Sequence, residues 1–175
     1  MDNIVLIGMP GSGKSTVGVL LAKALRMDFL DTDLLLQQQE GDKLQSILER
    51  RGIEPFLDLE GDALAGLTCH NTVIAPGGSC VCRQYAMEHL EKIGTMVYLS
   101  LTLDTLEKRI WNLASRGIAL KPGQTLGDIF DYRTPIYRQY AHVTVAADGQ
   151  TLEETVIAVR RGLTEGGFLP RTAAI

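Results

Sequence analysis

Cysteine is scarce: Cys69, Cys80 and Cys82 are the only three in 175 residues. The count is odd, with no CxxC pair and no Cys/His cluster. That excludes a disulfide framework and a zinc-finger pattern, and leaves reduced thiols in a cytoplasmic protein as the expectation. No apolar run reaches the length of a membrane span, and the start lacks a basic stretch leading into a long apolar one, so no membrane partner is expected. A formal net charge of −4 gives no electrostatic reason to expect nucleic acid or an anionic membrane surface as partner. Internal repeats, low-complexity tracts and a dividing linker are all missing. The chain is therefore expected to form one domain over residues 1–165, followed by a loose tail over residues 166–175. A monomer acting on a small molecule is the expected assembly.

The dominant motif is Gly8-Met9-Pro10-Gly11-Ser12-Gly13-Lys14-Ser15, a full match to the phosphate-loop pattern GxxxxGKS/T. The apolar run Ile4-Val5-Leu6-Ile7 before it reads as a buried strand. Val17, Leu20, Leu21, Ala24 and Leu25 after it have helical spacing. Glycines let consecutive backbone N–H groups face phosphate oxygens, and the helix start adds its positive end. Gly11, Ser12, Gly13, Lys14, Ser15 and Thr16 are thus the expected nucleotide contacts. Lys14 is expected to reach the β- and γ-phosphates of ATP, and Ser15 to place its hydroxyl on Mg²⁺. A glycine-rich turn that merely opens a helix is the plain alternative.

A second strand ends in Asp31-Thr32-Asp33. If all three are extended, the two carboxylates face the same side, and such a pair needs a cation or a reacting proton between them. The competing reading is an acidic cap on the helix that follows. That helical region spans Leu34 to Leu67, with breaks near Gly41 and Gly52 and with Pro55 in a first turn. A third strand, Asn71 to Ala75, leads into Pro76-Gly77-Gly78-Ser79. It carries no terminal acid, and no NKxD signature occurs anywhere. Both absences weaken the motor-ATPase and GTPase readings and leave Asp31 as the acidic contributor to the metal. Arg83 to Lys92 reads as helix, Thr95 to Leu99 as strand, and Thr102 as the cap of a helix running to about Ser115. Arg109 and Arg116 sit seven apart ahead of a loop-like stretch suited to closing over polyphosphate, although solvated surface arginines are common. Thr125 to Ala141 is a helix that Pro135 should kink or restart. Val143 to Ala146 is the last strand, and Thr151 with Glu154 forms a capping box for a final helix. His70, His89 and His142 sit in no ligand pattern. Strands alternating with helices predict an α/β fold, a three-layer arrangement with a parallel sheet covered on both faces.

In that order these motifs resemble the shikimate kinases, within the nucleoside-monophosphate-kinase-like group of phosphate-loop proteins. The resemblance spans Ile4 to about Leu163. It rests on GMPGSGKST, Asp31-Thr32-Asp33, Gly77-Gly78, the Arg109/Arg116 spacing, and Arg133-Thr134-Pro135-Ile136-Tyr137. It implies a five-stranded sheet of order 2-3-1-4-5 and a lid over about residues 115–126. It also implies an ATP- and Mg²⁺-dependent transfer of the γ-phosphoryl group to a hydroxyl of a small carboxylic acid, shikimate by default. Lys14, Asp33 and Arg116 are then the catalytic group, and Arg109 lies against adenine. Asp33, Gly77, Gly78, Ser79 and Arg133 bind the acceptor, and Ser15 and Asp31 serve the metal.

Three positions depart from the family pattern. Leu57 stands where the family has a carboxylate-gripping arginine, Ser79 replaces a third glycine, and Arg116 is followed by Gly117-Ile118-Ala119. Losing a cation while keeping Asp33 and Glu60 favours an acceptor with an ammonium group, such as homoserine, unless Arg50 or Arg51 substitutes. A regulatory module that binds ATP without transferring its phosphate is the non-enzymatic alternative.

Overall fold

All five residues of β1 (Asn3–Ile7) are buried, because this strand lies at the centre of a parallel sheet with both faces covered. In the computed structural model, which describes residues 3–110 and 118–170, the flanking strands are β2 (Asp28–Asp31), β3 (Thr72–Ala75), β4 (Gly94–Ser100) and β5 (Val143–Ala146). All pairings are parallel, in the order β2-β3-β1-β4-β5. This is the order implied by the resemblance.

The two-residue period of β1 divides the core. Val5 and Ile7 point into a layer formed by Leu64 of α4 (Ile53–Ala65), Met87 and Leu90 of α5 (Gln84–Ile93), Leu106 of α6 (Leu103–Arg109) and Ile129 and Tyr137 of α7 (Leu126–Tyr140). Ile4 and Leu6 point the other way, onto Val17 and Leu21 of α1 (Lys14–Leu25) and Val159 and Leu163 of α8 (Leu152–Glu165). Asn3 rivets the lower edge: its Nδ2 donates to the Cys69 and Ile93 carbonyls at 2.8 and 3.0 Å, and its Oδ1 accepts from Thr72 N–H at 3.0 Å.

A third, smaller cluster sits beside the sheet. It packs Ile47 and Leu48 of α3 (Leu44–Arg51) with Phe56, Leu57 and Ala119. The expected breaks are here: α2 (Thr32–Glu40) stops at left-handed Gly41, and Gly52 separates α3 from α4, with Pro55 in the first turn of α4.

Of the two outcomes expected at Pro135, a kink or a restart, the restart does not occur: helix α7 is one element from Leu126 to Tyr140. One expectation needs correction. Helix α6 ends at Arg109 rather than near Ser115; residues 111–117, including Arg116 and the start of the expected lid, lie outside the described residues. Of the expected tail, residues 166–170 are described: Phe168 and Leu169 N–H groups bond to the Leu163 carbonyl, and Leu169 is buried. Two of the histidines bond backbone groups, His142 Nδ1 accepting from Met96 N–H and His89 Nε2 bonding the Leu67 carbonyl. All three cysteines are free. Among the described residues, no helix is long and apolar enough to cross a membrane.

Helix α7 begins with a reciprocal capping box not read from the sequence. Thr125 Oγ1 accepts from Asp128 N–H, while an Asp128 oxygen accepts from Thr125 N–H. Thr125→Ala should therefore lower stability by about 1 kcal/mol, read as a lower urea midpoint with an unchanged slope.

Candidate active site

The loop between β1 and α1 takes its shape from residues only glycine accommodates readily. Gly11 and Gly13 have φ of 77° and 94°, turning the backbone so that α1 starts at Lys14 with its N-terminus facing a cleft. Ser15 and Thr16 are exposed there, while the buried Ser12 hydroxyl oxygen has no partner among the described residues. Lys14 is buried and folds back on its own loop: Nζ donates to the Gly8 and Met9 carbonyls at 2.9 and 3.0 Å. Burial pushes its pKa below the usual lysine range, against the pull of Asp33 and Asp31.

The loop after β3 comes up against this one. A Cβ on Gly78 would lie 2.6 Å from Pro10 Cδ, so any side chain there would push the two loops apart. The Gly78 carbonyl also accepts a hydrogen bond from the Tyr137 hydroxyl. The Tyr137 ring stacks on Tyr98 of β4 with centroids 5.3 Å apart. In the sequence Tyr137 has a place in the motif that begins at Arg133 but no role of its own. Its position four residues after Arg133, one turn along α7, could have suggested that both face the same space.

Both sides open onto one cavity of about 430 Å³, lined by Lys14 and Ser15 on one side and Asp33, Glu60, Gly77 and Arg133 on the other. Asp33 is pushed up to about 6 by burial, with the Asp31 charge adding to the shift and Lys14 opposing it. Glu60 is pushed up to about 7 by burial, against the hydrogen bond it accepts from the Ser79 hydroxyl. Gly77 separates the two carboxylates: its Cβ would meet Asp33 Oδ1 and Glu60 Oε1, each at 2.8 Å. Arg133 is buried, makes no ion pair among the described residues, and touches protein through Nη2 at 3.4 Å from the Ala119 carbonyl. Its Nε has no partner among the described residues.

The two aspartates are not a pair on one strand. Asp31 ends β2 and caps α2, with Oδ1 accepting from Asp33 and Leu34 N–H at 3.0 and 3.3 Å. Asp33 sits in the first turn of that helix, and the local preference of Asp for the N-cap decides the geometry. Asp31 does not line the cavity, although its charge still acts on Lys14 and Asp33. Arg109 is exposed at the end of α6. Its neighbour Ile110 packs so close to Gly11 that a Cβ there would be 2.6 Å away, which sets the end of α6 beside the phosphate loop. Arg50 and Arg51 do not fill in for the missing cation, because both pair with Glu40 on the surface. Leu57 turns into the cluster with Ile47 and Ala119 and does not line the cavity.

The sequence model of shikimate kinase matches residues 10–163. A shikimate kinase of Salinispora arenicola is 38% identical over 158 residues, covering 89% of this chain and 93% of that protein. Another from Sulfurihydrogenibium sp. is 33% identical over 166 residues, covering 92% and 99%. Among solved structures, the shikimate kinase of Acinetobacter baumannii in complex with shikimate superposes with a TM-score of 0.88 at 28% identity, over 97% of this chain and 96% of that one. The Aquifex aeolicus shikimate kinase gives 0.80 at 30%, over 95% and 98%. With the phosphate loop, the sheet order and the two-sided cleft all in agreement, this chain belongs to the shikimate kinase family.

Proposed function

We propose that the protein transfers the γ-phosphoryl group of ATP to a hydroxyl of shikimate. The observation that carries this reading is the shared cleft. It joins a phosphate loop to a buried cation, Arg133, and a half-buried carboxylate, Asp33, neither of which has an ion-pair partner among the described residues. An acceptor with a carboxylate at one end and a hydroxyl at the other fits that pair of charges.

The loop suits ATP: backbone N–H groups at a helix start, the orphaned Ser12 hydroxyl and a displaceable lysine are what a polyphosphate requires. Mg·ATP, when bound, supplies the phosphoryl group and neutralises part of its charge. The metal's protein ligands would be the exposed Ser15 hydroxyl and the second Asp31 oxygen, a sparse set fitting an ion that keeps waters and phosphate oxygens. Lys14 moves from its carbonyl partners to the phosphates. Asp33 orients the acceptor hydroxyl and takes its proton, the N–H groups of Gly77 and Gly78 line the acceptor's seat, and Arg133 holds its carboxylate. Arg109 flanks the base, and Arg116, in the expected lid, offsets charge on the transferring group. The chemistry is mainly positioning and electrostatics.

ADP release with Mg·ATP should rise on adding shikimate and stay at background with homoserine, gluconate or no acceptor. Release driven by homoserine alone would replace the acceptor assignment; ATP binding with no transfer to any of them would mean a binding module. Lys14→Ala should cut turnover by at least about a hundredfold while the circular dichroism and melting profile stay those of the folded protein. Since Asp33 acts deprotonated, kcat/KM for the acceptor should fall as pH drops through about 6. Asp33→Asn should remove most of the rate.

A further inference from the structure

The acceptor side of the cleft holds one buried carboxylate more than the reading above uses. Glu60, on α4, is only 7% exposed. Among the described residues it forms no ion pair, and its one side-chain hydrogen bond is the Ser79 hydroxyl donating to Oε2. Oε1 converges with Asp33 Oδ1 on the space beside Gly77, where a Cβ would be 2.8 Å from each. The cations whose charge acts on Glu60 are Arg133 and Lys14, neither of which forms an ion pair with it among the described residues; Arg83 is committed to Glu54 and Asp58. One turn earlier on the same helix, Leu57 is locked into its apolar cluster. Glu60 lines the cleft, and its Oε1, which makes no hydrogen bond among the described residues, is placed to accept one from a ligand.

We infer that Glu60, held in place by Ser79, is a direct binding group for the acceptor, taking a hydrogen bond from a hydroxyl other than the one that reacts. The inference rests on the proposed function and deepens it. The acceptor is read at three points of the cleft: its carboxylate by Arg133, the reacting hydroxyl by Asp33 and a second hydroxyl by Glu60. The pocket thereby selects a polyhydroxy acid, since an acceptor lacking the second hydroxyl leaves Oε1 buried and unpaired. The raised pKa of Glu60 in the ligand-free protein, about 7, fits a carboxylate short of donors.

The test is steady-state kinetics of the full chain with shikimate and with analogues that each lack one non-reacting hydroxyl. Glu60→Gln keeps the side chain's size. It should raise KM for shikimate about tenfold, the effect of one lost charge-assisted hydrogen bond, with kcat and the KM for ATP within about twofold. For the analogue lacking the hydroxyl that Glu60 reads, wild type and Glu60→Gln should have equal KM, while the gap persists with the other analogue. Ser79→Ala leaves the carboxylate present but unanchored, and should raise KM for shikimate by a smaller factor with the same analogue dependence. It carries the comparison by itself if Glu60→Gln fails to melt cooperatively. An unchanged KM for shikimate, or the same penalty on shikimate and both analogues, would overturn the inference and leave the proposed function standing. A wild-type protein without shikimate-dependent ADP release would overturn both.

Discussion

The contact between Gly78 and Pro10 is the constraint from which the site follows. Two loops, each at the carboxyl end of a neighbouring strand, approach so closely that no side chain fits between them. Parallel pairing of β1 with β3 brings both loops to the same edge of the sheet, where open α/β sheets place their ligands. The Tyr137 hydroxyl then fixes the turn to α7 through the Gly78 carbonyl, and α7 carries Arg133. Phosphate loop, acceptor turn and acceptor cation are therefore positioned by one continuous set of packed contacts, anchored on the Tyr98 ring.

Most of the architecture was legible in the chain. The alternation of short apolar runs with 3.6-residue patterns marks strands and helices directly, and Gly41, Gly52, Thr102 and Thr151 mark helix ends through local chemistry that tertiary packing leaves intact. The order of the strands was not contained in periodicity and came from the family resemblance. Errors arose where a local preference competed with a longer pattern. Asp31 was read as extended partner to Asp33, but its short side chain satisfies the first N–H groups of α2 better. At Pro135, where a kink or a restart is expected, α7 does not restart, with Thr134 and Tyr137 buried on either side.

Pairings across the cleft were the least legible part, because they join residues far apart in the chain. Leu57, Glu60 and Ser79 were each visible as departures or remnants of the family pattern. What the sequence could not convey is that two of these changes belong together. Leu57 leaves the polar side of α4 and joins Ile47 and Ala119; Ser79, on the facing loop, supplies a hydroxyl to the carboxylate left behind. A hydroxyl partially offsets the burial of a carboxylate without neutralising it, which is why Glu60 keeps a high pKa.

Lys14 is held by its own loop. Its ammonium already satisfies the Gly8 and Met9 carbonyls, so nucleotide binding at this point is an exchange of partners. The affinity it contributes is the difference between a charged acceptor and two neutral ones, and the released carbonyls must find new donors in the same event. Loop rearrangement and ligand recognition at Lys14 are consequently a single thermodynamic step, with the resting protein already holding its principal cation at the threshold of the site.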